Sequence, residues 1–283
     1  MAAAIDPEVF VDTLVPVMRQ CAQMSLIFYG NITDIGKAQD TSLNGREAQE
    51  RSSVLTAIDT ALQDIILSAV WQHYPALRCI AEENTPLKRR FAGNTSRYTV
   101  LLDPIDGTFH FQKGDAPYHI SLGLARDGRM EAAVVVRPSE DKIFTAIRGQ
   151  GAYVHRGQEP PRRLLLGEQS RTNKAFISSK ARRYQGLVRP ELDPREYPIG
   201  AALVLTLVAE GELCAYLTQQ VEVYDVGPPA LIATEAGARC FLRNGQEPRY
   251  QHRRKFGYYL CAANVQLEAL LLKVLRAGER ISG

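Results

Sequence analysis

The sequence of 283 residues has no apolar segment of membrane-spanning length, which excludes a transmembrane helix. It has no run of five or more basic residues, and its formal charge of +3 is small, so nothing in it demands nucleic acid. Internal repeats and low-complexity stretches are absent, which excludes a solenoid or a disordered tail. Near the N-terminus Asp6, Glu8 and Asp12 stand where a secretory signal needs basic residues followed by an apolar run, so the expected location is the cytoplasm. The cysteines, Cys21, Cys79, Cys214, Cys240 and Cys261, are odd in number, far apart and set in apolar segments. They read as reduced core residues and not as a disulfide framework. Short basic clusters at Arg162-Arg163, Arg182-Arg183 and Arg253-Arg254-Lys255 read as solvated surface, although a phosphorylated substrate can recruit such groups.

What is present is the composition of a soluble, enzyme-sized protein, 45% hydrophobic and 23% charged, enough for one compact unit or two intimate domains. Asp6-Pro7-Glu8 is a helix start, followed at helical spacing by Phe10, Leu14, Val17, Cys21, Met24 and Phe28, a stripe expected to be core. Residues Asn31 to Arg51 are polar and aperiodic and read as a mobile loop. A second helix is expected from about Ala57 to Trp71, burying Ile58, Leu62, Ile65, Ile66 and Ala69. Strand-like runs follow at Leu77–Ala81, Tyr98–Leu102, His119–Ala125, Met130–Val136 and Lys142–Ile147, linked closely enough to predict antiparallel pairing. After Gly149-Gln150-Gly151 the elements alternate: strand Ala175–Ser178, helix Ala201–Glu210, strand Leu213–Leu217, helix Gly227–Ala236, strand Tyr258–Ala262, helix Val265–Leu275. The change of pattern places a domain boundary near residue 160, giving halves 1–160 and 161–283.

The chemistry concentrates in Asp103-Pro104-Ile105-Asp106-Gly107-Thr108, which sets two carboxylates three residues apart after the β-rich run Tyr98–Leu102. Pro104 fixes φ, so both acids are held in one curve that can share a hard cation. Gly107 permits close approach of a ligand, and the N–H groups of Gly107 and Thr108 can face an anion. Carboxylates alone repel phosphate, so metal ions must intervene. Glu82-Glu83 ends the run Leu77–Ala81 and offers a third carboxylate to converge with Asp103, while Asp225 precedes Val226-Gly227-Pro228-Pro229 and the apolar helix to Ala236, which suits a helix-start acid that points into a crevice. All-oxygen ligation of this kind selects Mg²⁺ or Mn²⁺ over zinc. Taken singly, Asp106-Gly107 is a turn, Asp225 a helix cap and Glu82-Glu83 a solvated strand end; it is their order along one chain that points to a site.

That order resembles the inositol monophosphatase superfamily of Mg²⁺-dependent, lithium-sensitive phosphatases. Ile80-Ala81-Glu82-Glu83 is similar to the family's I-G-E-E segment, Asp103 to Thr108 to its D-P-I-D-G-T signature, and Tyr224-Asp225 with Glu235-Ala236-Gly237 to its W-D and E-A-G. Weaker likenesses are Thr56-Ala57-Ile58-Asp59 to T-x-x-D, Gly149-Gln150-Gly151-Ala152 to G-x-G-A, and Cys261-Ala262-Ala263-Asn264 to a late A-A-N. The resemblance implies a layered α/β fold, an αβαβα sandwich with an antiparallel sheet in the N-terminal part and a mixed sheet in the C-terminal part, and an active site in the crevice between them. It implies that Glu82, Asp103 and the carbonyl of Ile105 bind one Mg²⁺, that Asp103, Asp106 and Asp225 bind a second, and that a third, weaker ion sits near Glu82; Mn²⁺ is an expected substitute. By the same resemblance one ion activates a water and the other offsets charge on the phosphate and leaving oxygen. Thr108, oriented by Asp59, positions that water together with Glu82, and no side-chain nucleophile is used. The substrate-binding set is Asp106, Gly107, Thr108, Gly200, Ala201, Thr218 and Asp225, and a homodimer is expected.

Departures from the family bear on the substrate and spare the metal ligands. Thr218 stands where inositol-specific members carry a Glu, Gly200-Ala201-Ala202 where many carry Gly-Ser or Gly-Thr then Ala, Tyr224 where Trp is usual, and His110, read as structural, where Asn is usual. The Lys before T-x-x-D has no counterpart at Ala48, and Lys37 matches only across an insertion. The expected function is Mg²⁺-dependent hydrolysis of a phosphate monoester of a small polyol or sugar. Ser178-Ser179-Lys180-Ala181-Arg182-Arg183 faintly resembles a stretch of the 3′(2′),5′-bisphosphate nucleotidases of the same superfamily, which makes that activity the rival. A non-catalytic protein that binds RNA or the transcription machinery is a rival of another class.

Overall fold

A computed structural model describes residues 4–30, 45–169, 172–195, 200–251 and 255–280, with side chains described outside 45–56 and 279–280. Asp6 accepts the Glu8 N–H at 2.9 Å and Pro7 occupies the first turn, so α1 (Pro7–Leu26) begins where the sequence places it. Its buried side is Phe10, Val11, Leu14, Met18, Cys21, Ala22 and Ser25; Val17 is half-buried, and Met24 and Phe28 are exposed. The expected stripe had a period of 3.5, whereas a straight helix drifts by ~20° per seven residues, which carries its far end off the core. The helix α2 (Gly45–His73) starts inside the segment expected to be loop, so residues 45–51 are helical; residues 31–44, including Lys37, and the Ala48 side chain lie outside what is described. It buries Ile58, Asp59, Leu62, Gln63, Ile66, Leu67 and Val70, while Ile65 is exposed and Ala69 half-buried, for the same reason of phase.

Seven strands form the first sheet in sequence order: β1 (Arg78–Ala81), β2 (Tyr98–Asp106), β3 (His119–Arg126), β4 (Arg129–Arg137), β5 (Lys142–Ile147), β6 (Gly151–Arg156) and β7 (Arg162–Leu164). All neighbours pair antiparallel except β1 and β2, which run parallel with Ala81 opposite Leu102. This corrects the expectation of uniform antiparallel pairing. The short helix α3 (Pro86–Arg89) lies in the connection between β1 and β2, which is long enough for a crossover. Side chains alternate across the sheet with period two: Val100, Leu102, Ile120, Leu122 and Val134 meet α1 and α2, and Leu101, Ala133, Val135 and Phe144 face the interior of the molecule.

After α4 (Thr108–Lys113) in the first half and α5 (Gln185–Val188) in the second, the helices α6 (Ala201–Glu210) and α7 (Val223–Glu235) fill the space between two sheets. The second sheet has the order β11-β12-β10-β8-β9, from β8 (Lys174–Ile177), β9 (Asp193–Arg195), β10 (Ala215–Glu222), β11 (Arg239–Phe241) and β12 (Lys255–Ala262). It is mixed, with β8 parallel to β9 and β10, and β12 antiparallel to β10 and β11. Its outer face, Ala175, Leu217 and Leu260, is covered by Val188 of α5 and by Leu271 and Leu275 of α8 (Val265–Arg280). The layers therefore run αβαβα, as expected. The first sheet extends to Leu164 and the second begins at Lys174. Described cysteines are all free, and no described helix is long and apolar enough to cross a membrane.

The central helix α7 lies unusually close to the first sheet. A Cβ on Gly123 of β3 would meet Pro228 at 3.0 Å and Met130 at 2.4 Å, and one on Gly227 would meet Leu101 at 3.0 Å and Tyr250 at 3.2 Å. Both glycines thus permit the contact that sets Asp225, near the start of α7, beside the end of β2. Gly123→Val is expected to cost ~1–3 kcal/mol by overpacking. Urea unfolding checks it, and an unchanged midpoint would show that α7 has room to move.

Candidate active site

Three devices bring the acidic residues together. The first is the parallel pairing of β1 with β2, which puts the C-terminal ends of both strands side by side; the Glu82 N–H continues the ladder to Leu102 O at 3.2 Å, so Glu82 emerges next to Asp103. An antiparallel pair would have sent Glu82 to the far end of β2. The second is a bulge in β2. Asp103 pairs with Ser121 and Asp106 with His119, so three steps on β2 oppose two on β3. Residues three apart on a regular strand point to opposite faces; the extra residue turns Asp103 and Asp106 to the same one. The third is the start of α7, where Asp225 and Glu222 form a reciprocal capping box.

One oxygen on each of three carboxylates is pinned by a backbone N–H. Asp103 Oδ1 accepts from Ile105 at 3.1 Å, Asp106 Oδ2 from Ala202 at 2.6 Å, and Asp225 Oδ2 from Glu222 at 3.2 Å. Asp106 thus caps the start of α6 from another element, and Gly200 makes room for it: a Cβ there would lie 2.3 Å from the Asp106 carboxylate. Glu82, exposed at the cleft, stands next to Asp103, and the two carboxyls perturb each other. Burial, then the charges of Glu82, Asp106 and Asp225, push Asp103 well above the usual carboxylate range. Burial raises Asp106 to about 7 against the pull of the Ala202 amide, and burial with the Asp106 charge raises Asp225 to about 8.

Asp59, on the buried face of α2, is pushed up to about 8 by burial and then by Glu82 and Glu83. Its Oδ1 has no hydrogen-bond partner. The expected bond from Thr108 to Asp59 is not made: the Thr108 hydroxyl donates to Ile105 O at 3.0 Å, an acceptor three residues back in the turn that opens α4. Gly107 precedes α4 with φ +94°, a left-handed conformation suited to glycine. His110 is buried as expected of a structural residue, with Nδ1 on Asp115 at 2.5 Å and Nε2 without a partner.

A cavity of about 470 Å³ contains Asp106, Gly200, Ala201, Thr218 and Asp225 in its wall. Lys180 and Arg182 border it too, and Arg182 and Arg183 are both exposed, in keeping with the reading of that pair as solvated surface. Arg183 turns the other way, lying over the Tyr184 ring and donating to Tyr184 and Tyr258. Glu82 borders a second cavity of about 520 Å³, shared with Lys88, Glu222 and Tyr224. Sequence reasoning missed Gln63, whose amide clamps the Glu83 backbone from both sides at 2.8 and 2.9 Å, and Glu222; the signals were the four-residue spacing from Asp59 on one helix face and the Glu-x-x-Asp of the capping box.

Among the described residues no three His, Cys, Asp or Glu side chains stand as a ready-made cage for an ion. The donor set still fits a hard divalent cation. Its side-chain ligands are carboxylates only, three of them have an oxygen already oriented by backbone, and their mutual repulsion is what such a cation would relieve.

A model of the inositol monophosphatase family matches residues 20–279. Similar chains include the Nus factor SuhB of Pasteurella multocida (strain Pm70), 32% identical over 198 residues, 68% of this chain and 72% of that one. Another is inositol monophosphatase 1 of Solanum lycopersicum, 29% identical over 238 residues, 81% of this chain and 85% of that one. Among solved structures, the Thermotoga maritima IMPase superposes with a TM-score of 0.74 at 19% identity, covering 97% of this chain and 100% of that one. Mycobacterium tuberculosis SuhB does so with 0.72 at 23% identity, covering 97% and 98%. At such identities the structural likeness establishes the fold.

Two predictions follow from the geometry. Gly200→Ala forces the Asp106 carboxylate off the α6 amides, and a fall in thermal stability of roughly 2–4 °C per kcal/mol lost is expected; an unaltered melting curve would show that the carboxylate can swing aside. The second concerns pH. Because the fold raises the pKa values of Asp59, Asp106 and Asp225 to about 8, 7 and 8, the native chain binds more protons than the unfolded one from about pH 4 upward. Stability in EDTA therefore falls as pH rises through that window. Asp225→Asn keeps the cap and removes one charge, so its melting temperature should match wild type near pH 5 and exceed it near pH 8. Parallel curves would contradict the repulsion.

Proposed function

We infer, since the chain belongs to the inositol monophosphatase family, that it is a phosphatase that hydrolyses the phosphate monoester of a small polyol or sugar with Mg²⁺. The observation that supports the reading is the gathering of buried Asp103 and Asp106 and half-buried Asp225 near Glu82, whose charge raises the pKa of all three, a repulsion that a bound cation would relieve. Glu82, Asp103 and the Ile105 carbonyl would hold one ion and Asp103, Asp106 and Asp225 another, with Mn²⁺ as a substitute. Bound there, the ions lower the pKa of a coordinated water and offset charge on the phosphate.

The chain's own residues supply the remainder. The N–H groups of Gly107 and Thr108, at the start of α4, face the phosphate oxygens, and α6 keeps Asp106 from swinging into the space the phosphate needs. Thr108 spends its hydroxyl proton on Ile105 O, so its oxygen accepts a hydrogen bond from the attacking water and fixes its direction. The Glu82 carboxylate, its proton affinity raised, takes the proton that this water releases. Asp59 makes no bond to Thr108 here, and its pKa is raised by burial and then by the charges of Glu82 and Glu83. Cytoplasmic location and a homodimer belong to the same reading.

A second reading comes from the name Nus factor carried by the Pasteurella relative: contacts with RNA or the transcription machinery, with little turnover. Salt-sensitive RNA retention without phosphate release would favour it. For the phosphatase, Asp103→Asn should lower kcat/KM on the order of a thousandfold while leaving the far-ultraviolet dichroism unchanged. Phosphate release from inositol phosphate, a hexose bisphosphate, histidinol phosphate and adenosine bisphosphate, with Mg²⁺ and then with EDTA, measures it. Wild-type turnover by the variant would overturn the mechanism.

A further inference from the structure

Gly149-Gln150-Gly151-Ala152 and Glu235-Ala236-Gly237 lie outside the carboxylate cluster, and the structure joins them to each other. The Glu235 carboxylate accepts the Gly149 N–H on Oε1 and the Gly151 N–H on Oε2, both at 2.9 Å. The two glycines flank the turn from β5 to β6 at φ +78° and +94°, conformations that residues with side chains rarely adopt, so the turn that aims both donors at one carboxylate is built from glycine. Glu235 is the last residue of α7, where the helix dipole opposes a negative charge. Two charge-assisted bonds offset that opposition and fasten this end of the helix to the first sheet.

The helix so fastened crosses the first sheet from β2 to β6, and Asp225 stands in its first turn, about 15 Å before Glu235 along the axis. Its own hydrogen bonds do not settle where it lies. Pro228 and Pro229 are inside α7 and have no N–H, so the bonds that a regular helix would make to Tyr224 O and Asp225 O are missing. The proline rings still fix φ, and the step stays stiff although it is short of bonds. The capping box of Glu222 and Asp225 turns with the helix; it orients the Asp225 carboxylate without placing it. Placement is left to contacts with the sheet, Pro228 against Gly123 in the middle and Glu235 against the turn at the far end. We propose that Glu235 is a positioning residue for the cation site: its clamp on the β5–β6 turn sets how far α7 lies along the first sheet, and so where Asp225 stands relative to Asp103 and Asp106. The proposal rests on the phosphatase reading for the cation, and on the clamp and the helix for the rest.

Calorimetric titration of the EDTA-treated protein with Mg²⁺ tests it. Glu235→Gln keeps the side chain's size and turns one acceptor into an NH₂ group that faces an N–H, which opens the clamp. Its Mg²⁺ affinity is expected to fall about fivefold. Leu271→Ala, in α8 behind the second sheet, is the control for lost stability: its melting temperature drops, while its Mg²⁺ affinity should stay within about twofold of wild type. The route is read from the double variant. Once Asp225→Asn has removed the charge that α7 carries to the site, adding Glu235→Gln should weaken Mg²⁺ binding no further. Wild-type affinity in Glu235→Gln, an equal loss in Leu271→Ala, or an undiminished effect of Glu235→Gln in the Asp225→Asn background would overturn the positioning role and leave the phosphatase standing. Wild-type protein that takes up no Mg²⁺ would instead sink the phosphatase reading, and with it the cation that Asp225 is placed to meet.

Discussion

Repulsion among Asp103, Glu82, Asp106 and Asp225 is the constraint around which the molecule is arranged. The four acids come from three places, the end of β1, β2 and the start of α7, and none has a basic partner strong enough to bring it back to an ordinary pKa; Lys88 lowers Glu82 only in part. Without a cation the cluster keeps protons that free carboxylates would have lost, since burial and mutual repulsion raise its pKa values. Such an arrangement is unstable by itself, and so the surrounding fold must hold it. The layers do that work locally. α7 is pressed on the first sheet at Gly123 and Gly227, α6 offers its first amides to Asp106, and Gln63 on α2 grips the turn at Glu83.

The direction of β1 matters as much as any side chain. Had it paired antiparallel with β2, Glu82 would lie a strand length away from Asp103 and the cluster would lose one of its members. The bulge plays the same part within β2, since it alone turns residues 103 and 106 to one face. Pro104 lies inside the irregularity, where a missing N–H costs no ladder hydrogen bond. Backbone topology thus converts a sequence motif into a converging set of oxygens.

Much of this was legible in the sequence, for identifiable reasons. Val100, Leu102, Ile120, Leu122 and Val134 alternate with interior residues so regularly that their strands could be read directly, and Ala201–Glu210 was bounded by Gly200 and Gly211. The strands β6 and β7 were not read, because Tyr153-Val154-His155-Arg156 and Arg162-Arg163 at the sheet's edge are too polar to show a pattern. Parallel pairing leaves no local trace either, since register depends on a crossover and not on the strand's own residues. The same holds for the site. Asp103, Asp106, Asp225 and Glu82 announced themselves by order, whereas Gln63, the Ala202 amide and the cavity-facing turn of Lys180 depend on packing between remote segments.

A second buried polar cluster shows by contrast what the first is for. Arg137, 1% exposed, donates to His119 Nε2 at 3.1 Å, Thr206 Oγ1 at 2.7 Å, Glu140 at 3.0 Å and Glu210 at 3.0 Å, and Lys142 meets Glu210 at 2.8 Å. Two cations face two anions there. Burial, and then Arg137 and Lys142, hold the pKa of His119 far below its usual value, so the ring stays neutral and can accept. These contacts reach α6 at Thr206 and Glu210, one and two turns from the end that receives Asp106, so the balanced cluster ties the helix to the first sheet at the end remote from the cleft. With that end fixed, α6 cannot retreat from the Asp106 carboxylate without breaking bonds to a buried guanidinium, a loss that far exceeds one capping bond. Charge is compensated where the fold must be rigid and left uncompensated where an ion is to enter, and the rigidity of the first region is what allows the second to persist.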